Sequence, residues 1–269
     1  MENTNEDTQI VQSEMSVNES SERAHMDVQI VTAKKYPRNL QRSIDNTIAI
    51  VTMDKDIAES CGYSLPRAGK KIDGPSVHLA RILAAQYGNF RAECKVTQIT
   101  DKHIISQGIA FDLENNYAVK VEVRRKITDR NGNRFNEDMI TVTGNAANAI
   151  SFRNAVFNVI GMNVVDTVYK AAQKAIREGI TDLSKELEKM FATFKKEYQV
   201  EKADILTLLS LTRPNEVTEE HIVTLRGLYQ ALKSGDTTVA DTFGTVVDNT
   251  DTDTDKQSSK LFDNDGKVK

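Results

Sequence analysis

A chain of 269 residues with 39% hydrophobic content has room for one sizeable domain and a smaller one, with enough apolar material for a real core. It has neither a cationic start before an apolar run nor a window near about eighteen consecutive apolar residues, so the sequence predicts neither secretion nor membrane insertion but a cytoplasmic protein. The formal net charge of -4 conceals an uneven distribution: residues 23–233 carry 31 basic against 25 acidic groups, about +6, between ends where acids dominate.

In chain order, residues 1–36 are rich in Asn, Glu, Ser and Thr and carry six acids before the first cation, Arg23. Such a composition predicts a disordered acidic and polar tail, because it buries too little apolar area to offset the entropy of ordering. Asn39 to Met53 reads as a helix with Leu40, Ile44, Ile48 and Val51 on one face. The stretch "CGYSLPRAGKKIDGP" that follows, with three Gly, two Pro and the cations Arg67, Lys70 and Lys71, reads as a solvated connector or as a basic loop beside a nucleic-acid groove. A second helix, "SVHLARILAAQY", is announced by Asp73-Gly74-Pro75 and stopped by Gly88, with His78 on its surface side.

Beyond Gly88 the period changes from helix to strand. The segments "ECKVTQIT", "HIISQGIAFDLE" and "YAVKVEVRRKIT" are separated by the turn pairs Asp101-Lys102 and Asn115-Asn116, which predicts an antiparallel meander. In the third segment Tyr117, Val119, Val121 and Val123 share one face, and Lys120, Glu122, Arg124 and Lys126 share the other. Arg125 falls in the apolar register, where its side chain must escape past the sheet edge or find a partner. Asn131-Gly132 supplies a tight turn with Arg130 and Arg134 beside it. A run of cations on an edge strand protects against aggregation. Charge of one sign over so many positions points instead to a polyanion. Phe111 and Tyr117 are expected in the core.

Asn145 opens the longest helical signal, "NAANAISFRNAVFNVI", which Gly161-Met162-Asn163 interrupts before "VVDTVYKAAQKAIREG" resumes it. Arg153, in the middle of this apolar stretch, should direct its guanidinium to an anion, either an acid of the domain or a phosphate. These elements make residues 37–178 an α+β core, an antiparallel meander and hairpin packed on a long helix. Residues 179–244 read as a small C-terminal helical module, with Asp182 and Thr218 as N-caps and a packed stripe of Leu183, Leu187, Met190, Phe191 and Phe194. Residues 245–269 read as a disordered Asp-rich tail.

The chemistry to be expected is narrow. Cys61 and Cys94 lack metal spacing and read as reduced, buried or half-buried thiols, and His25, His78, His103 and His221 are scattered, so no zinc site is expected. No G-x-x-x-x-G-K-[ST] or G-x-S-x-G stretch is present. The one catalytic candidate is a metal-dependent nuclease in which Asp112 and Glu122 share Mg²⁺. Against it, Arg124 stands where the familiar nuclease core places Lys, and Asp112 is equally a turn-forming side chain.

The order helix, meander, basic hairpin and long helix, with "GPSVHLARILAAQYGN", "SQGIAFDLENNYAVKVEVRRKITDRNGNRF" and "DMITVTGNAANAISFRNAVFNVI", resembles phage-encoded single-strand annealing proteins of the RecT and Redβ type. The resemblance spans residues 74–176. It implies ATP-independent binding of single-stranded DNA and annealing of complementary strands in a bacterial host cell. It also implies a basic groove between sheet and long helix, assembly into rings or filaments, and no required cofactor, Mg²⁺ being compatible but unnecessary. The matching DNA-binding positions are Lys120, Arg124, Arg125, Lys126, Arg130, Arg134 and Arg153. In such proteins the C-terminal extension recruits an exonuclease or a host single-strand binding protein, a role that falls here to residues 179–244. The neutral helix opening "TGNAANA" departs from the basic entry of the family. A nucleic-acid-binding regulator that does not anneal is the remaining alternative.

Overall fold

The computed structural model describes residues 20–67, 70–129, 131–235 and 237–243. Its first element, helix α1 (20–35), occupies sequence whose composition predicts no order. Only Ala33 of this helix is fully buried, while Val28 and Val31 are 65% exposed. Met26 and Ile30, half-buried, lie at helical spacing from Ala33, a narrow stripe that the polar composition around it conceals. Helix α2 (Leu40–Met53) is capped by Asn39, whose side chain accepts from the Arg42 N–H. Its buried residues are Ser43, Thr47 and Val51; Ile44 and Ile48 pack half-buried on the core as expected, while Leu40 is exposed, so the packed face is the expected one widened toward Ser43 and Thr47. Ser43 donates to the carbonyls of Asn39 and Tyr87, and Thr47 to that of Ser43, so both hydroxyls are buried with partners.

After the short helix α3 (Lys55–Ser60), the expected connector is a β-hairpin, β1 (Gly62–Arg67) and β2 (Lys70–Pro75), with Leu65 opposite Ile72. Ser64 donates to Asp73 across it at 2.6 Å. Its glycines and prolines mask the pairing, because both residue types are poor in isolated strands. Helix α4 (Val77–Tyr87) starts at Ser76, whose hydroxyl accepts from the His78 and Leu79 N–H groups, and His78 is exposed.

Strands β3 (Phe90–Ile99), β4 (His103–Asp112) and β5 (Tyr117–Lys126) form the expected antiparallel meander in the order β3-β4-β5. Strand β4 alternates half-buried and buried residues along its whole length. Its buried side faces α5 (Glu137–Ile160), which begins well before Asn145. Asn136 caps α5 by accepting from the Met139 N–H at 2.8 Å, and Glu137 and Asp138 complement the helix dipole in the first turn. This first half is hard to read because its buried residues, Ile140, Gly144, Ala146 and Ala147, are mostly small. The resulting fold is α+β, as expected.

Contact between α5 and β4 is close and partly polar. Ser106 bonds to Asn148 Oδ1 at 2.5 Å and lies 2.8 Å from the Ser151 hydroxyl. At Gly108 a Cβ would collide with the Ser151 carbonyl and come within 2.8 Å of the Phe152 nitrogen. Gly108→Ala is therefore expected to push α5 off the sheet and cost about 1–3 kcal/mol or more. Urea unfolding measures this; a midpoint within error of wild type would show that the helix does not sit this close.

Gly161 ends α5 at φ +90 and starts α6 (Met162–Glu178), the break expected there. Helices α4, α5 and α6 with α2 bury Leu79, Leu83, Val156, Val165 and Val168 in one core. The C-terminal helices α7 (Leu183–Tyr198), α8 (Lys202–Leu208), α9 (Glu219–Lys233) and α10 (Val239–Phe243) bury a second, around Phe191, Phe194, Ile205, Ile222 and Leu225. Asp182 caps α7 as expected. The C-terminal helices do not stand apart, because α9 packs on β1 with the Gly227 Cα side against Ser64 and Tyr63. Of the two expected tails, residues 1–19 of the first and all of the second, 245–269, lie outside the described residues.

Candidate nucleic-acid interface

Strand register sorts the meander into two faces. Cross-strand partners share a face, so Ile104, Ser106, Gly108, Ala110 and Asp112 look toward α5 together with Arg125, Val123, Val121, Val119 and Tyr117. The opposite, outer face is built in rows: His103 with Lys126, Ile105 with Gln98 and Arg124, Gln107 with Lys95 and Glu122, Ile109 with Glu93 and Lys120, Phe111 with Arg91 and Ala118. On β4 the outer residues are half-buried; on β5 Lys120, Arg124 and Lys126 are exposed, as is Lys95 on β3. The outer face is thus a central apolar row, Ile105, Ile109 and Phe111, between two columns of charge. Those columns hold the five cations Arg91, Lys95, Lys120, Arg124 and Lys126 against Glu93 and Glu122. Arg91 pairs with Glu93 at 3.3 Å, and Glu122 accepts from Gln107 at 3.4 Å. The columns stand roughly 10 Å apart, two strand spacings.

The seven expected DNA-binding residues do not converge. Lys120, Arg124 and Lys126 lie together on the outer face. Arg125 stands in the α5-facing register opposite Ile104 and is half-buried. Arg134 is exposed and donates to the Thr100 carbonyl at 2.8 Å, tying the bridge between Thr128 and Arg134 to the β3–β4 turn. Among the described residues Arg153 meets no acid: its guanidinium lies over the Tyr63 ring at 4.6 Å, and its Nε donates to Asn154. An aromatic face satisfies the cation there in place of an anion. Arg130 lies outside the described residues. The groove implied between sheet and long helix is closed, since α5 touches β4 at Gly108.

Arg91 and Lys95 were missed, although the alternation of Arg91, Glu93 and Lys95 in "FRAECK" carries the same two-residue period as the basic strand. Phe111 is half-buried on the outer face rather than in the core, and Tyr117 is 52% exposed at the end of its strand. Cys61 is buried, and burial pushes its thiol up to about 12; Cys94 is exposed on the edge strand β3, not buried as expected.

The two carboxylates of the nuclease reading do not meet. Asp112 pairs with Tyr117 and Glu122 with Gln107, five residues apart along β4, roughly 16 Å, and on opposite faces. Asp112 is instead a turn residue. It is ion-paired with Arg38 and accepts from the N–H groups of Glu114 and Asn115 and from the Asn115 side chain at 2.6 Å. Arg38 also reaches Glu114 at 3.2 Å and stacks on Tyr87 at 4.2 Å. Burial pushes the Glu114 carboxyl up, but hydrogen bonds from Asn89 and Arg38 outweigh it and hold the group below its ordinary range. Among the described residues, no three His, Cys, Asp or Glu side chains come together as a metal-holding group.

A cleft of about 230 Å³ opens elsewhere, between α3, β1, α6 and α9. Among its lining groups Ser64 donates to Asp73, and Arg226 is ion-paired with Glu59. Among the described residues no helix is long and apolar enough to cross a membrane. Comparison with family models, with curated proteins and with solved structures returns no match for this chain.

Proposed function

We propose that this protein binds single-stranded DNA along the outer face of its sheet and anneals complementary strands without ATP or a required metal. The observation that carries the reading is the row of Ile105, Ile109 and Phe111 between two columns of cations on a face turned away from the covering helix. A strand laid along β4 has phosphates within reach of Lys and Arg on both sides, and such contacts neutralise the backbone without reading sequence. Stacking is thinly supplied, with Phe111 the one aromatic ring in the central row. Weak stacking suits annealing, because bases held loosely remain free to pair. The edges of β3 and β5, which pair with no further strand among the described residues, offer backbone donors and acceptors to a neighbouring copy, which supports assembly along the DNA.

The direct test is pairing of two labelled complementary oligonucleotides by the purified protein, without nucleotide, with and without Mg²⁺, over a salt series. Pairing is expected to accelerate at least tenfold at low salt, without strand loss, and to fall steeply as salt rises. Mg²⁺-dependent cleavage would transfer the reading to a nuclease. Binding without acceleration would transfer it to a regulator.

A further inference from the structure

We propose that the cleft between α3, β1, α6 and α9 binds a small planar ring carrying an uncharged amide, whose N–H and C=O lie on one edge and are received by Glu59 and Arg226. The inference goes beyond the DNA-binding reading and stands apart from it, since no residue of the outer face lines the cleft.

Two unmet polar groups carry it. Arg226 lines the cleft and is 3% exposed, yet among the described residues its Nη1 makes no hydrogen bond. The half-buried Glu59 carboxylate, whose Oε1 lies 3.2 Å from that nitrogen, accepts none among them either, and burial pushes it up despite the guanidinium beside it. A donor and an acceptor withdrawn from water without partners are costly, and a ligand that supplies both partners removes both costs. Charge selects against ions. The lining holds Glu59, Asp73 and Glu220 against Arg177 and Arg226, and the adjoining Lys55 and Glu186 cancel each other. One acid is in excess, and Asp73 already accepts from Ser64. A cleft this near neutrality favours an uncharged ligand over a phosphate or an amine.

Geometry narrows the amide. In a trans peptide group N–H and C=O point in opposite directions, so a backbone cannot engage two atoms 3.2 Å apart at once. A primary carboxamide or a ring lactam holds them parallel on one edge, roughly 2.2 Å apart, and two slightly divergent hydrogen bonds span the difference. Size calls for a ring: a cavity of about 150 Å³ takes one benzene, and this cleft offers about 230 Å³. The remaining walls suit a flat apolar body, with Ala172, Ile176 and Val223 beside the rings of Tyr63 and Tyr169. At Gly62 a Cβ would sit 3.2 Å from the Tyr169 ring, so glycine lets that ring lie against β1. Burial pushes the Tyr169 phenol up to about 12, which keeps it uncharged near neutral pH. A ligand seated here touches α3 and α6 of the core and α9 of the C-terminal helices together, and so ties them to one another.

The test uses full-length protein and three probes of one shape: benzamide, benzoate and benzamidinium. In a titration followed by ligand NMR, benzamide is expected to bind with a Kd of about 1 mM and the two charged probes at least about tenfold more weakly. Benzoate sets a carboxylate against Glu59, and benzamidinium turns N–H groups on Arg226. Glu59→Gln puts an amide N–H where a carboxylate oxygen stood. It should reverse the order, so that benzoate binds at least as tightly as benzamide. Val223→Phe fills the cleft from α9 and should abolish benzamide binding, with circular dichroism checking that the fold is kept. No benzamide binding up to about 20 mM, or equal affinity of the wild type for all three probes, would overturn the inference. So would an order that Glu59→Gln leaves unchanged, or benzamide binding that survives in a folded Val223→Phe variant.

Discussion

Arg226→Ala is expected to destabilise the fold by about 3–5 kcal/mol, the cost of breaking a buried ion cluster by removing one partner. Arg226 is 3% exposed, on the side of α9 that meets β1 and α3. Its Nη2 donates to Glu186 at 2.7 Å. Its Nη1 lies 3.2 Å from Glu59, close enough for attraction but without the alignment of a hydrogen bond. Lys55 donates to Glu186 from the other side at 2.8 Å. These contacts join α3 of the core to α7 and α9, so one side chain holds two hydrophobic clusters in register. Burial pushes both carboxyls up. At Glu186 the hydrogen bonds from Lys55 and Arg226 outweigh it and hold the group low, whereas at Glu59 burial prevails and the group stays raised.

The sign of the pH dependence follows. In wild type, the depressed Glu186 contributes stability above its unfolded value, about 4.3, that is lost as pH falls through its folded value. Raised Glu59 acts in the opposite sense: its charged form costs stability above its folded value, and the cost lessens as pH falls. Without Arg226, Glu59 loses its main cation and Glu186 keeps only Lys55, so both folded values rise. The penalty of the substitution should therefore be largest near pH 7 and shrink toward pH 4.5 as the groups protonate. Urea unfolding of both proteins at the two pH values measures it. A penalty below about 1 kcal/mol, or one independent of pH, would mean that the cluster does not hold the two parts together.

Substituting Lys120, Arg124 and Lys126 together by Ala should weaken oligo-dT binding roughly a hundredfold at low salt, at about 1 kcal/mol per phosphate contact, and reduce the salt slope by about 2. All three side chains are exposed, so the thermal midpoint should stay near that of wild type. The contrast is Arg153→Ala, which removes a cation stacked on Tyr63 away from the outer face. It should leave the salt slope unchanged. Fluorescence anisotropy over a salt series reads both. Equal slopes in wild type and the triple variant would remove the outer face as the binding surface.

The meander was legible because a two-residue period survives in sequence whatever packs on it. Tyr117 to Lys126 alternate along β5, and the turn pairs mark its start. What stayed hidden depends on contacts that leave little trace in sequence. Helix α5 packs through Gly, Ala and Ser, so its first half has no apolar stripe. The hairpin β1–β2 is held by α9, more than a hundred residues away, and looks like a loop on its own. The two-residue period already set Arg125 in the apolar register, apart from Arg124 and Lys126, and the structure turns it to the helix side; only the family resemblance grouped the three as one set of contacts. Arg153 was misplaced because sequence shows a cation among apolar residues but not the ring it lies on.

The fit of Gly108 beneath Ser151 also bears on how the chain is made. Strand β5 ends at Lys126, whereas the helix that covers the sheet ends at Ile160. At about 5–20 residues per second, a newly made chain spends roughly two to seven seconds with three strands synthesised and their covering helix incomplete. Throughout that interval Ile104, Ala110 and Val121 lack their lid, and both strand edges are bare. A ribosome carrying this message thus holds an uncovered sheet midway through synthesis, and holdase binding or a translational pause would bear on it until residues 127–160 have emerged.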